Sequence, residues 1–261
     1  MNKKRSAVTR TIKAFFILFI IIVLNSCATT TGSVDKKEKA LAMRKMGFSL
    51  FQQGKAREGL ASLLEAEKLD PSNPDLQHEI ALVYQDIGEF DLSLLHFKKA
   101  IELKPDFSEA YNNLGVLYSE YGRLDEAMAS FNKALSNILY RTPHYAYHNI
   151  GLVYYKMKDN KKAIENFKKA IELAPYYVDA YIDLGIVYED SGRYEDAISI
   201  NRKILRLMPE SMEPHIKIAE LYLKTGRKQE SIDELKSIIR SDPRDPAAKR
   251  AQEMLEELQS R

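Results

Sequence analysis

Cys27 is the only cysteine in the 261 residues, and tryptophan is absent. A lone thiol cannot close an intramolecular disulfide, and it excludes Cys-based zinc sites and CxxC redox pairs. Catalytic signatures are missing too: the chain has no glycine-rich phosphate loop, no HExxH and no GxSxG. Acids are absent before Asp35, whereas Lys3, Lys4, Arg5, Arg10 and Lys13 are basic. The one long apolar run, Ala14 to Leu24, has 11 residues. A membrane-spanning helix needs roughly 20, so this run does not span.

A basic start, a short apolar core and small residues after it form a secretory signal over 1–26. Removing its five basic residues takes the formal charge from +2 to −3. No basic stripe then remains to neutralise phosphates, which excludes a nucleic-acid partner. Leu24-Asn25-Ser26-Cys27 resembles a bacterial lipobox. The resemblance implies cleavage before Cys27, acylation of its thiol and new amino group, and anchoring by several acyl chains. Ala28 in place of Asp then points to the outer membrane. The competing reading is plain secretion, with Ser26-Cys27-Ala28 as a small-x-small cleavage site that removes the cysteine. The polar stretch ATTTGSVDKKEK completes a segment, 27–39, that reads as a flexible tether.

From Ala40 a repeat of 34 residues takes over. A small residue recurs at Gly47, Ala81, Gly115, Gly151, Gly185 and Ala219, with Leu50, Tyr84, Tyr118, Tyr154, Tyr188 and Tyr222 three residues on. Prolines close the units at Pro71, Pro105, Pro175, Pro209 and Pro243. In AYNNLGVLYSEYGRLDEAMASFNKAL the roles are legible. Gly115 lets two helices cross closely, and Gly122 makes the turn between them. Tyr111, Leu114, Tyr118 and Phe131 fill a core on helical spacing. This pattern resembles the tetratricopeptide repeat, a helix-turn-helix unit. The resemblance implies an all-α, right-handed superhelical solenoid with six units, 40–73, 74–107, 108–143, 144–177, 178–211 and 212–243. An amphipathic helix over 244–261, with Ala247, Ala251, Met254, Leu255 and Leu258 as its stripe, caps the open end.

With no catalytic constellation, function falls to surface recognition. In this family, repeat positions two, five, nine, twelve and thirteen face a concave groove. Position nine holds Phe48, Leu82, Val116, Leu152 and Ile186, and then Glu220. The apolar stripe reads either as groove lining or as packing between neighbouring helices. The Lys and Asn or Arg pairing that grips acidic C-terminal tails is missing at positions five and nine. Of the 15 tyrosines, eight hold repeat core positions, and five of the other seven fall between Tyr140 and Tyr177. Tyr145 and Tyr155 are at groove positions, as is His148, and the cluster reads either as a binding hot spot or as ordinary helix packing. His144 and His148 share one helical face at metal-ligand spacing, but no third ligand is near in sequence, so no metal is expected. No cofactor and no small-molecule substrate are implied.

The join KALSNILYRTPHYAYHNIG carries two extra residues and a displaced Pro143. It resembles the corresponding join in the PilF/PilW-type lipoproteins of type IV pili, small lipoproteins with about six such repeats. Those are pilotins, which help a secretin ring assemble in the outer membrane. The resemblance implies a protein partner, a secretin or another envelope protein, bound in the groove, and a membrane held by the N-terminal lipid. Ser119 and Val153 stand where many members have cysteines. An NlpI-like adaptor that recruits periplasmic proteases or cell-wall enzymes is the other reading of the same build.

Overall fold

The computed structural model describes residues 35–260. The expected signal 1–26, the lipidation site Cys27 and the first part of the tether, 28–34, lie outside the described residues. The described residues form helices and no strands. In chain order these are α1 (35–52), α2 (Ala56–Leu69), α3 (Pro74–Asp86), α4 (Phe90–Leu103), α5 (Ser108–Glu120), α6 (Leu124–Leu135), α7 (Pro143–Lys156), α8 (Asn160–Leu173), α9 (Val178–Asp190), α10 (Tyr194–Leu207), α11 (Glu213–Lys224), α12 (Lys228–Ser241) and α13 (Pro246–Ser260). Each expected repeat is one odd- and one even-numbered helix. The expected tether differs from the structure at its end, because residues 35–39 are already helical. Asp35-Lys-Lys-Glu-Lys39 contains good helix formers and runs without a breaker into buried Ala40.

Helices α2 to α13 have 12 to 15 residues, marginal lengths for isolated helices in water. Their stability therefore comes from stacking. The chain divides into two compact units, one ending at Ala110 and the other starting at Tyr111, with the division inside α5. In the first unit α3 packs on α2 and α4, and Leu63, Leu76, Ile80 and Val83 form a core with Ala66. In the second unit each helix from α6 to α13 packs on the next, and α7 also touches α9. This is the consecutive helix-pair packing of a tetratricopeptide solenoid.

The markers read from the sequence sit where the packing is tightest. A Cβ on Gly115 would lie 2.5 Å from the Phe131 ring, and one on Gly151 would lie 2.7 Å from the Phe167 ring. Both rings are fully buried. Turns within repeats use left-handed backbone at Gly54, Gly88, Gly122, Gly192 and Gly226, with φ from 69° to 82°. The fourth repeat puts Lys158 there, at φ 64°. Helix starts are fixed by Asn73, which caps the Leu76 amide ahead of Pro74, and by Asp159, which caps Lys162. At the irregular join, Tyr140 is a core residue, buried with Ala134 and Ala146, whereas Ile138 and Leu139 are exposed.

The last helix packs on α11 and α12, burying Ala248, Ala251 and Leu255 against Ile216, Ala219, Leu235 and Ile238. Ala247, Met254 and Leu258 flank that contact, so the expected stripe forms the seam. Arg250 on α13 donates to Glu213 at 3.0 Å and also to Glu220. This explains why position nine turns acidic in the sixth repeat: Glu220 holds the capping helix.

Candidate functional site: the face of the odd-numbered helices

The position-nine residues lie one step past the helix crossing. Phe48 and Leu82 are half-buried in the first unit, and Val116 and Leu152 are half-buried in the second. Ile186 is 39% exposed. Each residue of the stripe therefore packs in part and presents a remaining apolar edge.

Two cavities open beside these residues in the second unit. One, of about 340 Å³, gathers Val116, Leu152 and Tyr155 with Phe131, Asn149 and Lys156. Three expected site residues thus meet at one place. Its edges are held across repeats by hydrogen bonds. Lys156 Nζ donates to the Ser119 carbonyl and to Ser119 Oγ, each at 3.0 Å. Asn149 Nδ2 donates to Asn112 Oδ1 at 3.1 Å. The Tyr155 hydroxyl donates to Asp190 on α9, and this bond pushes the Tyr155 pKa up.

The second cavity, of about 300 Å³, lies between α9, α10 and α11, and Ile182, Ile186, Ile204 and Met208 are among the residues that line it. Glu189 and Lys217 stand at this cavity. Burial acts to raise the Glu189 carboxyl, but Lys224 (2.6 Å) and Lys217 (3.4 Å) override it and hold the pKa below the usual carboxylate range. The cavity exists because of one substitution in the repeat. The place filled by Phe131 and Phe167 in the third and fourth repeats is taken by Asn201 in the fifth. The nearest atom to a Cβ on Gly185 is consequently 3.5 Å away. The change is visible in the sequence as FNKAL, FKKAI and then NRKIL. Reading the repeats for their consensus passes over it.

Tyr145 lines neither cavity. It is 43% exposed, meets Tyr177 edge-on at 5.3 Å and lies tilted against His144 at 4.2 Å. His148 departs from the expectation of a groove contact. It is 7% exposed, with Nε2 2.6 Å from Asp183 Oδ2 and Nδ1 3.1 Å from the Tyr177 hydroxyl. Position five points inward here because Phe167 and Tyr177 close over the ring at 5.5 and 5.1 Å. Burial, and then Asp179, push the Tyr177 pKa up, while burial and the neighbouring His148 push that of His144 down. The Asp183–His148–Tyr177 chain ties α7 to α9 and was not foreseen from spacing, since its members are 29 and 35 residues apart. Both imidazole nitrogens of His148 are engaged, and among the described residues no group of three His, Cys, Asp or Glu side chains could hold a metal ion.

Four family profiles, each described as tetratricopeptide repeat, match residues 74–107, 96–129, 144–210 and 190–255. The chain is a tetratricopeptide-repeat protein. None of the four matches is to an enzyme family. No curated protein matches by sequence. Among solved structures, PilW, a widely conserved type IV pilus biogenesis factor, is 23% identical with a TM-score of 0.71, covering 83% of this chain and 98% of PilW. PilF of Pseudomonas aeruginosa is 21% identical with a TM-score of 0.69, covering 85% of this chain and 99% of PilF. YrrB, described as a repeat protein with an unusual peptide-binding site, is 20% identical with a TM-score of 0.54, covering 73% of this chain and 97% of YrrB. At these identities the likeness is one of fold. It spans nearly the whole of PilW and PilF, so this chain has their repeat architecture.

Proposed function

We propose that this protein is a non-catalytic, membrane-anchored scaffold that docks a protein partner on the face of its odd-numbered helices and acts in type IV pilus biogenesis, as a pilotin for the secretin. The observation that carries the docking surface is the gathering of Val116, Leu152 and Tyr155 at one open cavity, with Ile186 at the next. Half-exposed apolar edges beside cavities, with hydrogen-bonded rims, suit a partner segment laid across successive helices. The pilus assignment draws on the end-to-end likeness to PilW and PilF and on the order of lipobox, linker and six repeats. In this reading Cys27 carries the acyl chains that hold the body at the outer membrane, facing the periplasm.

The test is secretin assembly in cells. Deletion of the gene leaves secretin monomers in place of detergent-resistant rings, and wild-type protein restores the rings. Leu152→Glu, which puts an unpaired charge at the cavity, fails to restore them although the variant is folded by circular dichroism. Full assembly in the deletion strain overturns the pilotin reading, and full assembly with the folded Leu152→Glu variant overturns the docking face.

A further inference from the structure

The cavity walled by α9, α10 and α11 holds one buried side-chain amide, that of Asn201. Its walls are mainly apolar; Ser211, Glu189, Glu213 and Lys217 also line it, with both carboxylates paired to lysine or arginine, and Ile182, Ile186 and Met208 keep 44%, 39% and 46% of their surface exposed, so it opens to solvent. Asn201 also lines it and is only 7% exposed. The amide orientation of Asn201 is fixed: a carbonyl oxygen only accepts, so it is Nδ2 that faces the Ala197 carbonyl, at 2.9 Å. Oδ1 is therefore left as an acceptor with no hydrogen bond to it among the described residues, and one Nδ2 hydrogen is left as a donor. At the equivalent place Phe131 and Phe167 close the helix crossing, so the vacancy in the fifth repeat is specific to this repeat.

A volume of about 300 Å³ is at the lower limit of small-molecule sites, roughly 300–1,000 Å³, and suits one large side chain. An aliphatic or phenyl group would satisfy the walls but would strip water from Asn201 Oδ1 and give nothing back. A side chain with an apolar body and a donor at its edge satisfies both. Tryptophan and tyrosine have that build, and they are the residues most often found as interface anchors. We propose that this cavity is a socket for a tryptophan or tyrosine side chain of the partner protein, selected by a hydrogen bond to Asn201 Oδ1. The proposal rests on the reading of this face as a docking surface, and it names the partner's anchor residue.

The test uses indole and indene, which share a shape and differ in the N–H donor. The whole purified chain is titrated with each, followed by two-dimensional amide NMR. Indole shifts the backbone resonances of Gly185 and Ile186 and the side-chain amide of Asn201, and it binds about three- to tenfold more tightly than indene. Asn201→Leu keeps the space, removes the acceptor and abolishes the preference. Asn201→Phe fills the space as Phe131 and Phe167 do and abolishes binding of both. Equal binding of the two probes to the wild-type chain, shifts elsewhere on the molecule, no indole shift up to its solubility, or indole binding that survives Asn201→Phe would each overturn the socket. The probe titration does not involve a secretin, so its failure leaves the ring-assembly result standing. Failure of ring assembly likewise leaves the socket's selectivity to be read on its own.

Discussion

His78 holds position five of the second repeat, with its ring 5.8 Å from Phe97 and 5.0 Å from Phe107. Burial pushes its pKa down to about 4. In the unfolded chain a histidine titrates near 6.5, so between these values the unfolded state holds a proton that the folded state does not. Stability is therefore full above that window and falls as the pH drops through it, by up to about 3 kcal/mol and by less insofar as the half-buried ring keeps some water. His78→Phe removes this contribution. Thermal melts at neutral and acidic pH should show a smaller acid-induced drop for the variant, and an equal drop in both proteins would refute the assignment. The glycine crossings give a second residue-scale test. Gly115→Ala forces a methyl to 2.5 Å from the Phe131 ring and costs about 1–3 kcal/mol by overpacking. Gly185→Ala meets nothing closer than 3.5 Å and, given alanine's helix propensity, is neutral or stabilising by up to about 1 kcal/mol. Denaturant melts that rank the two variants the other way would contradict the packing. Gly115 was legible because its constraint repeats at a fixed period. The open space at Gly185 was not, because it depends on Asn201, 16 positions on in the next helix.

Among the elements, turns and helix ends were the most legible, since glycine, proline and the 34-residue spacing mark them directly. The exceptions have local causes. The turn of the fourth repeat uses Lys158 at φ 64°, where a side chain is strained. Lys158→Gly should stabilise the protein by about 0.5–1 kcal/mol, less whatever the added freedom of glycine returns to the unfolded chain, and a lowered melting temperature would show that the lysine is not strained. The linker reading missed helix 35–39 because low hydrophobicity was taken for flexibility, whereas charged helix formers extend a helix that is anchored further along. His148 was misplaced because position in the repeat says which way a residue starts out from the helix. It does not say that Tyr177 and Phe167 will close over it. The capping role of α13 was legible from its amphipathic stripe. Truncation after Pro243 should expose Ile216, Leu235 and Ile238, raising dye binding to apolar surface and lowering the melting temperature, because an uncapped repeat loses its neighbour term. A truncated chain as stable as the whole would contradict this.

For the molecule as a whole, repeat number, helical class and family followed from periodicity, since each unit is one supersecondary element with an apolar face that the next buries. The partner is a different matter: periodicity fixes which face is presented, and only the side chains that depart from the repeat tell what it receives. At the N-terminus, Cys27→Ser should abolish lipid labelling and release processed protein from the membrane fraction, and labelling at the wild-type level would contradict the lipobox. The central claim, that a secretin docks on the odd-numbered helices, is tested most directly by photo-crosslinking in living cells. A photoreactive residue replaces Leu152 at the cavity in one strain and exposed Lys161 on α8 in another, and adducts are identified by mass spectrometry. The account predicts a secretin adduct from position 152 and none from position 161. A secretin adduct from position 161 alone, or a protease or cell-wall enzyme as the protein captured at 152, would contradict it.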